Sequence, residues 1–179
     1  GNTIVSAVPT STLNGGTLSV THSGGSASYS ETAGALTVGS GGTTVLASQA
    51  DPDQTSTLTF ASLARTGGGS VNFVGNGLGA EDNRNRIMFA TPPAADNALI
   101  GPWALHNGTN LASYTAAQGV IPAGDSAYSN ISAKGPSVLP NDATAFARIS
   151  EEGTTGDIAL QAETETRLGG LLQATGWDA

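Results

Sequence analysis

A glycine pair that leads into alternating apolar and polar residues recurs three times in the first half of the chain. The three copies are residues 15–20, 41–46 and 68–73. Their second glycines are Gly16, Gly42 and Gly69, so the copies lie 26 and 27 residues apart. A turn that feeds a strand, repeated at about this spacing, is typical of one coil of a solenoid. The repeat therefore predicts stacked coils with glycine at their corners.

Short apolar segments around these copies have the length and pattern of β-strands. Residues 35–38 and 57–60 alternate apolar with polar side chains, which predicts Leu, Val and Phe inward and Thr outward. Between residues 55 and 121, glycine, asparagine and proline separate three apolar pieces, the first of which overlaps residues 57–60. These pieces are residues 58–63, 71–74 and 87–89. All are too short and too weakly periodic for a helix.

These segments predict an all-β fold, a parallel β-helix (β-solenoid) of roughly five to seven coils. One coil cannot shield its apolar side from water, whereas stacked coils pair edge to edge and line a common interior. We expect a single β-solenoid domain or segment over residues 1–179, with coils over residues 1–90. Pro92 and Pro93 end a strand because proline lacks an amide donor, and one long excursion around 91–145 follows. Terminal strands occupy residues 146–179.

Composition excludes several classes of protein. The chain has no cysteine, so a disulfide framework and a cysteine-based zinc site are excluded. A net charge of −8 with only six Lys and Arg residues provides no basic patch for nucleic acid. No apolar run reaches about 18 residues, so we expect no membrane-spanning segment. The sequence begins without Met or a signal peptide, so we expect a mature form or a fragment of a longer protein.

Motifs between Leu58 and Tyr114 follow a recognisable order: a strand, a Gly/Asn-rich turn, an I-x-F strand and a Pro-Trp-Ala segment. They read LTFASL at 58–63, VNFVGNGLG at 71–79, IMF at 87–89 and IGPWA at 100–104. This order resembles the unit of the autotransporter-associated β-strand repeat proteins, which are large secreted or surface proteins of Gram-negative bacteria. The resemblance implies a right-handed parallel β-helix, export to the cell surface or beyond, and a passenger or matrix role. It implies no enzymatic residues, because the family motif is structural.

Trp103 and Tyr114 are the candidate ligand-binding residues. Aromatic rings can form a stacking platform for a sugar, which would make surface glycans the partners. The alternative is that Trp103 packs against the core beside Leu99, Ile100 and Leu105.

Two acidic turns provide a candidate metal site. Glu81 and Asp82 stand in a glycine-rich turn, and Asp51 and Asp53 stand in an earlier one. Clustered carboxylates near glycine can hold calcium. Residues 77–82 are loosely similar to the calcium-binding nonapeptide of some β-solenoids, but the spacing differs and does not repeat. The alternative is a pair of solvated turns and no cofactor.

The residues do not predict an enzyme. A hydrolase triad would need one of the two histidines, His22 or His106, beside a serine and an acid. No serine stands in a G-x-S-x-G elbow, and His22 lies at a strand-to-turn junction where we expect an exposed side chain. The nearest acid–base set, Asp82 with Arg84 or Arg86, lies in one Asn-rich loop where adjacent charges usually form surface pairs.

These observations favour a structural protein at the cell surface or outside the cell, reached by Gram-negative-type export. We expect a rigid β-solenoid rod that acts as an adhesin, matrix or filament-forming subunit. Ile4, Val5 and Val8 belong to an apolar strand at the start of the sequence, which could pair with a second copy and give a homo-oligomer or fibre. The alternatives are a carbohydrate-binding or polysaccharide-degrading β-helix module, and a trimeric spike protein.

Overall fold

The computed structural model of the 179-residue chain describes residues 10–22, 28–49, 53–82, 84–94, 99–132, 134, 136–149, 158–161 and 165–173. Contacts between Cα atoms divide the chain into two compact units, Gly1–Pro122 and Ala123–Ala179.

Successive coils of three strands each make up the body of the first unit. The first coil contains β1 (Ser11–Leu13), β2 (Gly16–His22) and β3 (Tyr29–Ala33). The second contains β4 (Leu36–Val38), β5 (Gly42–Gln49) and β6 (Ser56–Phe60). The third contains β7 (Leu63–Arg65), β8 (Ser70–Val74) and β9 (Asn85–Phe89).

Equivalent strands of successive coils pair in parallel, so each side of the coil is a sheet. The three sheets have the orders β1-β4-β7, β2-β5-β8 and β3-β6-β9. Along them Leu36 pairs with Leu63, and Phe60 pairs with Phe89. The backbone hydrogen bonds of one coil are therefore completed by the next. The all-β parallel β-helix predicted from the sequence is confirmed.

Apolar side chains from all three sheets fill the interior of the coils. Leu36 and Val38 of β4 are fully buried, while Leu58 and Phe60 of β6 are 2% exposed or less. The threonines between them lie on the outer side and are half-buried. The alternation predicted for residues 35–38 and 57–60 is therefore confirmed.

Phe89 is the centre of an aromatic cluster within this interior. Its ring centroid lies 5.9 Å from that of Phe60, 6.1 Å from that of Phe73 and 5.7 Å from that of Tyr114. Burial of one such side chain contributes about 1.5–3 kcal/mol relative to its exposure. The cluster therefore links the second and third coils.

Outward polar side chains form ladders between coils. The Ser48 hydroxyl donates to Thr21 Oγ1 at 3.2 Å. Arg86 donates from Nε and Nη2 to Thr57 Oγ1 at 3.2 and 3.1 Å, across the pair that β6 and β9 form at these positions. These contacts lie outside the apolar interior, on the predicted outer side of the sheets.

The glycine pairs lie at equivalent corners, but their alignment differs from the strand register by one residue. Gly16 pairs with Thr43 rather than Gly42, and Gly42 pairs with Ser70 rather than Gly69. The turns before β2, β5 and β8 lengthen from two residues to three and then four, so a position in the turn does not fix the register. Interior side chains fix it instead, because a slip of one residue would turn every inward side chain outward.

After the third coil the parallel winding ends. β10 (Ala104–His106) pairs in parallel with β8, but β11 (Asn110–Thr115) and β12 (Gly119–Pro122) follow in antiparallel order. β12 lies against β9, and a Cβ atom at Gly119 would overlap the carbonyl oxygen of Ile87. Strands β10–β12, named the cap, therefore cover the end of the third coil.

The second unit contains smaller parallel coils. A 3₁₀ turn at Asp125–Ala127 precedes β13 (Ser129–Ile131), β14 (Ser137–Val138), β15 (Asp142–Ile149), β16 (Ile158–Ala159) and β17 (Leu168–Gln173). The sheets are β13-β15-β17 and β14-β16, both parallel. Ile131, Leu139 and Ala147 form the centre of its core.

The segment 91–145, predicted as one excursion, contains the cap, the 3₁₀ turn, β13, β14 and the first residues of β15. The boundary between the two units, after Pro122, falls inside this segment. Within the described part of the chain, no helix has the length and apolar character needed to cross a membrane.

Phe60→Ala tests the interior. We expect it to lower the free energy of unfolding by about 3–5 kcal/mol, because the change leaves a cavity beside Phe89. The outward neighbour provides the control: Thr59→Ala is expected to change the same quantity by less than about 1 kcal/mol. Denaturant unfolding measures both variants, and equal effects would contradict the assignment of inward and outward faces.

Gly119→Ala tests the contact between the cap and β9. Gly119 has a φ of 76°, and an added Cβ would overlap the Ile87 carbonyl, so we expect destabilisation by about 1 kcal/mol or more. Gly68→Ala is the matched control, since a Cβ atom there meets nothing within 4 Å. Amide hydrogen exchange should show faster exchange in β11 and β12 for Gly119→Ala only.

Candidate functional site

The two acidic turns of the sequence meet at one corner of the first unit. Asp53, Gln54 and Thr55 lead into β6, while Asp82 and Arg84 lie in the connection that leads into β9. Because β6 and β9 are paired, these connections are stacked on each other. The Ser56 amide donates to the Arg84 carbonyl oxygen at 2.7 Å, which fixes the two chain segments together.

A cleft of about 190 Å³ lies at this corner, and all of its lining residues are polar or charged. They are Asp53, Gln54, Thr55, Asp82 and Arg84, and the site is named the corner cleft. A volume of this size holds about six water molecules. It is smaller than the usual pocket for a drug-sized ligand, which begins at about 300 Å³.

Charge in the corner cleft is mixed. Arg84 Nη2 lies 3.4 Å from Asp82 Oδ2, and the Arg84 amide donates to Asp82 Oδ1 at 3.1 Å. The side chains of Arg84 and Asp82 are 33% and 53% exposed, so the ion pair itself contributes less than about 1 kcal/mol. Arg86 instead contacts Thr57 on the outer side of the sheet. Of the predicted acid–base set, Asp82 is therefore paired with Arg84, whereas Arg86 bonds to Thr57.

Gln54 is the unusual member of the corner cleft. It is 2% exposed, and neither its Nε2 nor its Oε1 has a hydrogen-bond partner. Two fully buried neighbours on the paired strands show the same feature: Ser56 Oγ and Asn85 Oδ1 also lack a partner. A buried polar group without a partner costs about 1–3 kcal/mol, so such atoms indicate a bound water or ligand.

These polar side chains stand at the ends of the inward rows, which are the alternate residues of each strand whose side chains point into the interior. Gln54 and Ser56 are in phase with Leu58 and Phe60, and the burial of β6 alternates accordingly. At the other side of the same corner, Gln49 ends the inward row of β5 and also has both amide atoms buried without a partner. The interior is thus apolar along the strands and polar at this corner.

His22 belongs to the same corner and differs from its prediction. It pairs with Gln49 in register, and its ring stacks on Tyr29 with centroids 3.9 Å apart. Its Nε2 atom is buried. The prediction of an exposed turn histidine is wrong, because position 22 continues the inward row of β2.

The predicted metal residues are only partly brought together. Asp82 lines the corner cleft, whereas Glu81 is exposed in the adjoining turn and is not part of the lining. Asp51 lies outside the described residues. Within the described ranges, no group of three or more His, Asp or Glu side chains could hold a metal ion. Calcium at Glu81 and Asp82 stays a prediction.

The two aromatic candidates both pack against the apolar core. Tyr114 contacts Phe89 through its ring, and its hydroxyl donates to the Phe89 carbonyl and accepts from the Phe89 amide, both at 3.1 Å. Trp103 is half-buried, with the Arg65 guanidinium 5.5 Å from its ring centroid. Tyr114 therefore anchors the cap, and Trp103 is partly used in packing.

His106 is a buried link between the cap and the turn after β8. It is 6% exposed, and its Nε2 lies 3.0 Å from the Leu78 carbonyl oxygen. A carbonyl only accepts, so Nε2 carries a proton and donates. Burial disfavours the charged imidazole and lowers the pKa of His106 below 6.5, although the Leu78 hydrogen bond acts in the opposite direction. Its position and bond indicate a structural role.

Ile4, Val5 and Val8, the predicted self-association residues, lie outside the described residues. Comparisons of the chain with family models, with curated proteins and with solved structures found no match.

Acid should weaken the fold through His106. Because the pKa is lower in the folded chain than in the unfolded chain, the stabilisation is complete above pH 6.5 and falls as the pH decreases below 6.5. We expect the melting temperature of the wild type to fall more steeply between about pH 7 and 5 than that of His106→Gln.

The matched control is His22→Gln, which retains His106. Its melting temperature should still fall with decreasing pH more steeply than that of His106→Gln. Parallel melting curves for the wild type and His106→Gln would contradict the role given to His106.

Proposed function

We propose that the chain is a non-enzymatic structural segment of a surface or extracellular protein, in which the β-solenoid is a rigid scaffold. The observation that carries this proposal is the in-register stacking of nine strands as three sheets around one apolar interior. Each coil is held by backbone hydrogen bonds to its neighbour, and the aromatic cluster around Phe89 links the second and third coils. Such stacking favours stiffness and protection of the backbone from proteases.

The absence of a catalytic role is part of the proposal. Asp82 is paired with Arg84, and His106 donates to a backbone carbonyl in a buried position. Neither arrangement places a general base beside a nucleophile. Export to the cell surface, the autotransporter-like character and adhesion are proposed from the resemblance of residues 58–104 and Tyr114 to that family.

Self-association is proposed to use the first coil rather than the cap. The cap adds β10 to the edge of β8 and then continues with antiparallel strands, so parallel addition of another coil is blocked along that sheet. Among the described residues, no strand pairs with the outer edges of β1, β2 and β3. An apolar segment such as residues 3–8 from a second copy could pair there and give an oligomer or fibre.

A second observation supports association of copies. The large apolar side chains exposed among the described residues all belong to the second unit: Val138, Leu160 and Leu171 are 55%, 66% and 58% exposed. If these side chains form one contiguous patch in an assembly, they would favour contacts with a partner. The glycan-binding alternative through Trp103 and Tyr114 has less support, because the Tyr114 hydroxyl is already bonded to the backbone of Phe89.

Val5→Asp tests self-association. We expect wild-type chain to form oligomers whose mass increases with concentration, and we expect the aspartate to reduce their formation because it places a charge in an apolar segment. Light scattering after size separation measures the mass over a range of concentrations. Ala117→Asp, in an exposed turn of the cap, adds the same charge and should leave the oligomers unchanged. A wild-type chain that stays monomeric at every concentration would overturn this mode of assembly.

A further inference from the structure

We propose that the corner cleft is a binding site for one neutral sugar unit or a similar polyhydroxylated molecule. The residues assigned to it are Asp53, Gln54, Thr55, Asp82 and Arg84. This site is separate from the aromatic residues Trp103 and Tyr114.

The buried amide of Gln54 carries the inference. A glutamine amide can donate two hydrogen bonds and accept two, yet Gln54 makes none while it is 2% exposed and lines the cleft. A Leu or Met at this inward position would carry no polar group that needs a partner. Both amide atoms are buried in a residue that lines the cleft, and a partner that itself both donates and accepts would satisfy them.

The charges around Gln54 select a neutral hydroxylated ligand. Two carboxylates, from Asp53 and Asp82, repel phosphate and other anions. A calcium ion needs six to eight oxygen ligands, and here the guanidinium of Arg84 lies in the same cleft and is paired with Asp82. A hydroxyl group donates to a carboxylate and accepts from a guanidinium or an amide at the same time. Several hydroxyls on one small ring therefore fit the mixed donors and acceptors.

The size and lining of the cleft limit the ligand further. Its volume of about 190 Å³ suits a molecule of roughly a dozen non-hydrogen atoms rather than a long oligosaccharide enclosed throughout its length. The lining contains no aromatic or aliphatic residue, so an apolar ligand would gain little from contact with it. A ligand of this size bound by hydrogen bonds in an open cleft is expected to have a dissociation constant of about 1 mM.

Titration of the full chain with glucose, galactose, mannose and N-acetylglucosamine tests the site. Saturation-transfer NMR detects binding, and amide chemical shifts locate it. We expect at least one of these sugars to bind and to shift the amides of Gln54, Thr55 and Arg84. The sugar proposal predicts that calcium chloride and sodium phosphate, titrated separately, leave these amides unchanged, in contrast to the calcium prediction for Glu81 and Asp82.

Gln54→Leu and Asp82→Asn are the variants that should lose binding, each by about tenfold or more. Gln54→Leu removes both amide atoms while keeping an inward side chain, so its melting temperature is expected to be equal to or above that of the wild type. Gln49→Leu is the matched control, because Gln49 has the same unpaired buried amide but does not line the cleft. It should bind the sugar within about twofold of the wild type.

Three outcomes would overturn the proposal. They are the absence of binding by all four sugars, which would assign Gln54 to water alone; unchanged binding in both Gln54→Leu and Asp82→Asn; and a response of these amides to calcium but not to sugars. If Gln54→Leu does not fold, Asp82→Asn at the exposed rim still tests whether the sugar binds in the corner cleft. The oligomer test with Val5→Asp is a separate readout, so this site and the scaffold role can fail independently.

Discussion

Parallel pairing between successive coils is the constraint on which the first unit depends. A residue in one coil lies directly over its partner in the next, as Phe60 lies over Phe89, at the strand spacing of about 4.8 Å. Side chains of like character must therefore follow each other in neighbouring coils. This requirement explains the continuous apolar interior, and it also explains why the polar atoms of Ser56 and Asn85 occur in paired positions.

Much of the architecture could be predicted from local pattern, because an inward row needs an apolar residue at every second position. Leu36 with Val38 and Leu58 with Phe60 satisfied that rule and were placed correctly. The register could not be predicted from the glycine pairs, since turns of different length precede β2, β5 and β8. Only the long-range fit of interior side chains, such as Val45 over Phe73, decides it.

The corner cleft was recognised from the sequence only as two separate acidic turns. Asp53 and Asp82 are 29 positions apart in the sequence, and their proximity follows from the pairing of β6 with β9. Gln54 was missed, although a signal was present: it continues the inward phase of Ser56, Leu58 and Phe60 by one step. His22 and Gln49 extend the inward rows of β2 and β5 in the same way. A polar residue at an inward-facing position near the end of a strand therefore indicates where the interior of the coils becomes polar.

The cap gives the first unit a defined stopping point that is independent of the number of coils before it. Its contacts with the third coil include Gly119 against Ile87 and Tyr114 against Phe89. The surfaces between earlier coils repeat every 27 to 28 residues along the β2-β5-β8 sheet. Gene duplication of one internal coil would thus extend the protein by a single rung, about 4.8 Å, without redesign of its terminus. The length of such a chain can therefore change during evolution in steps of one coil.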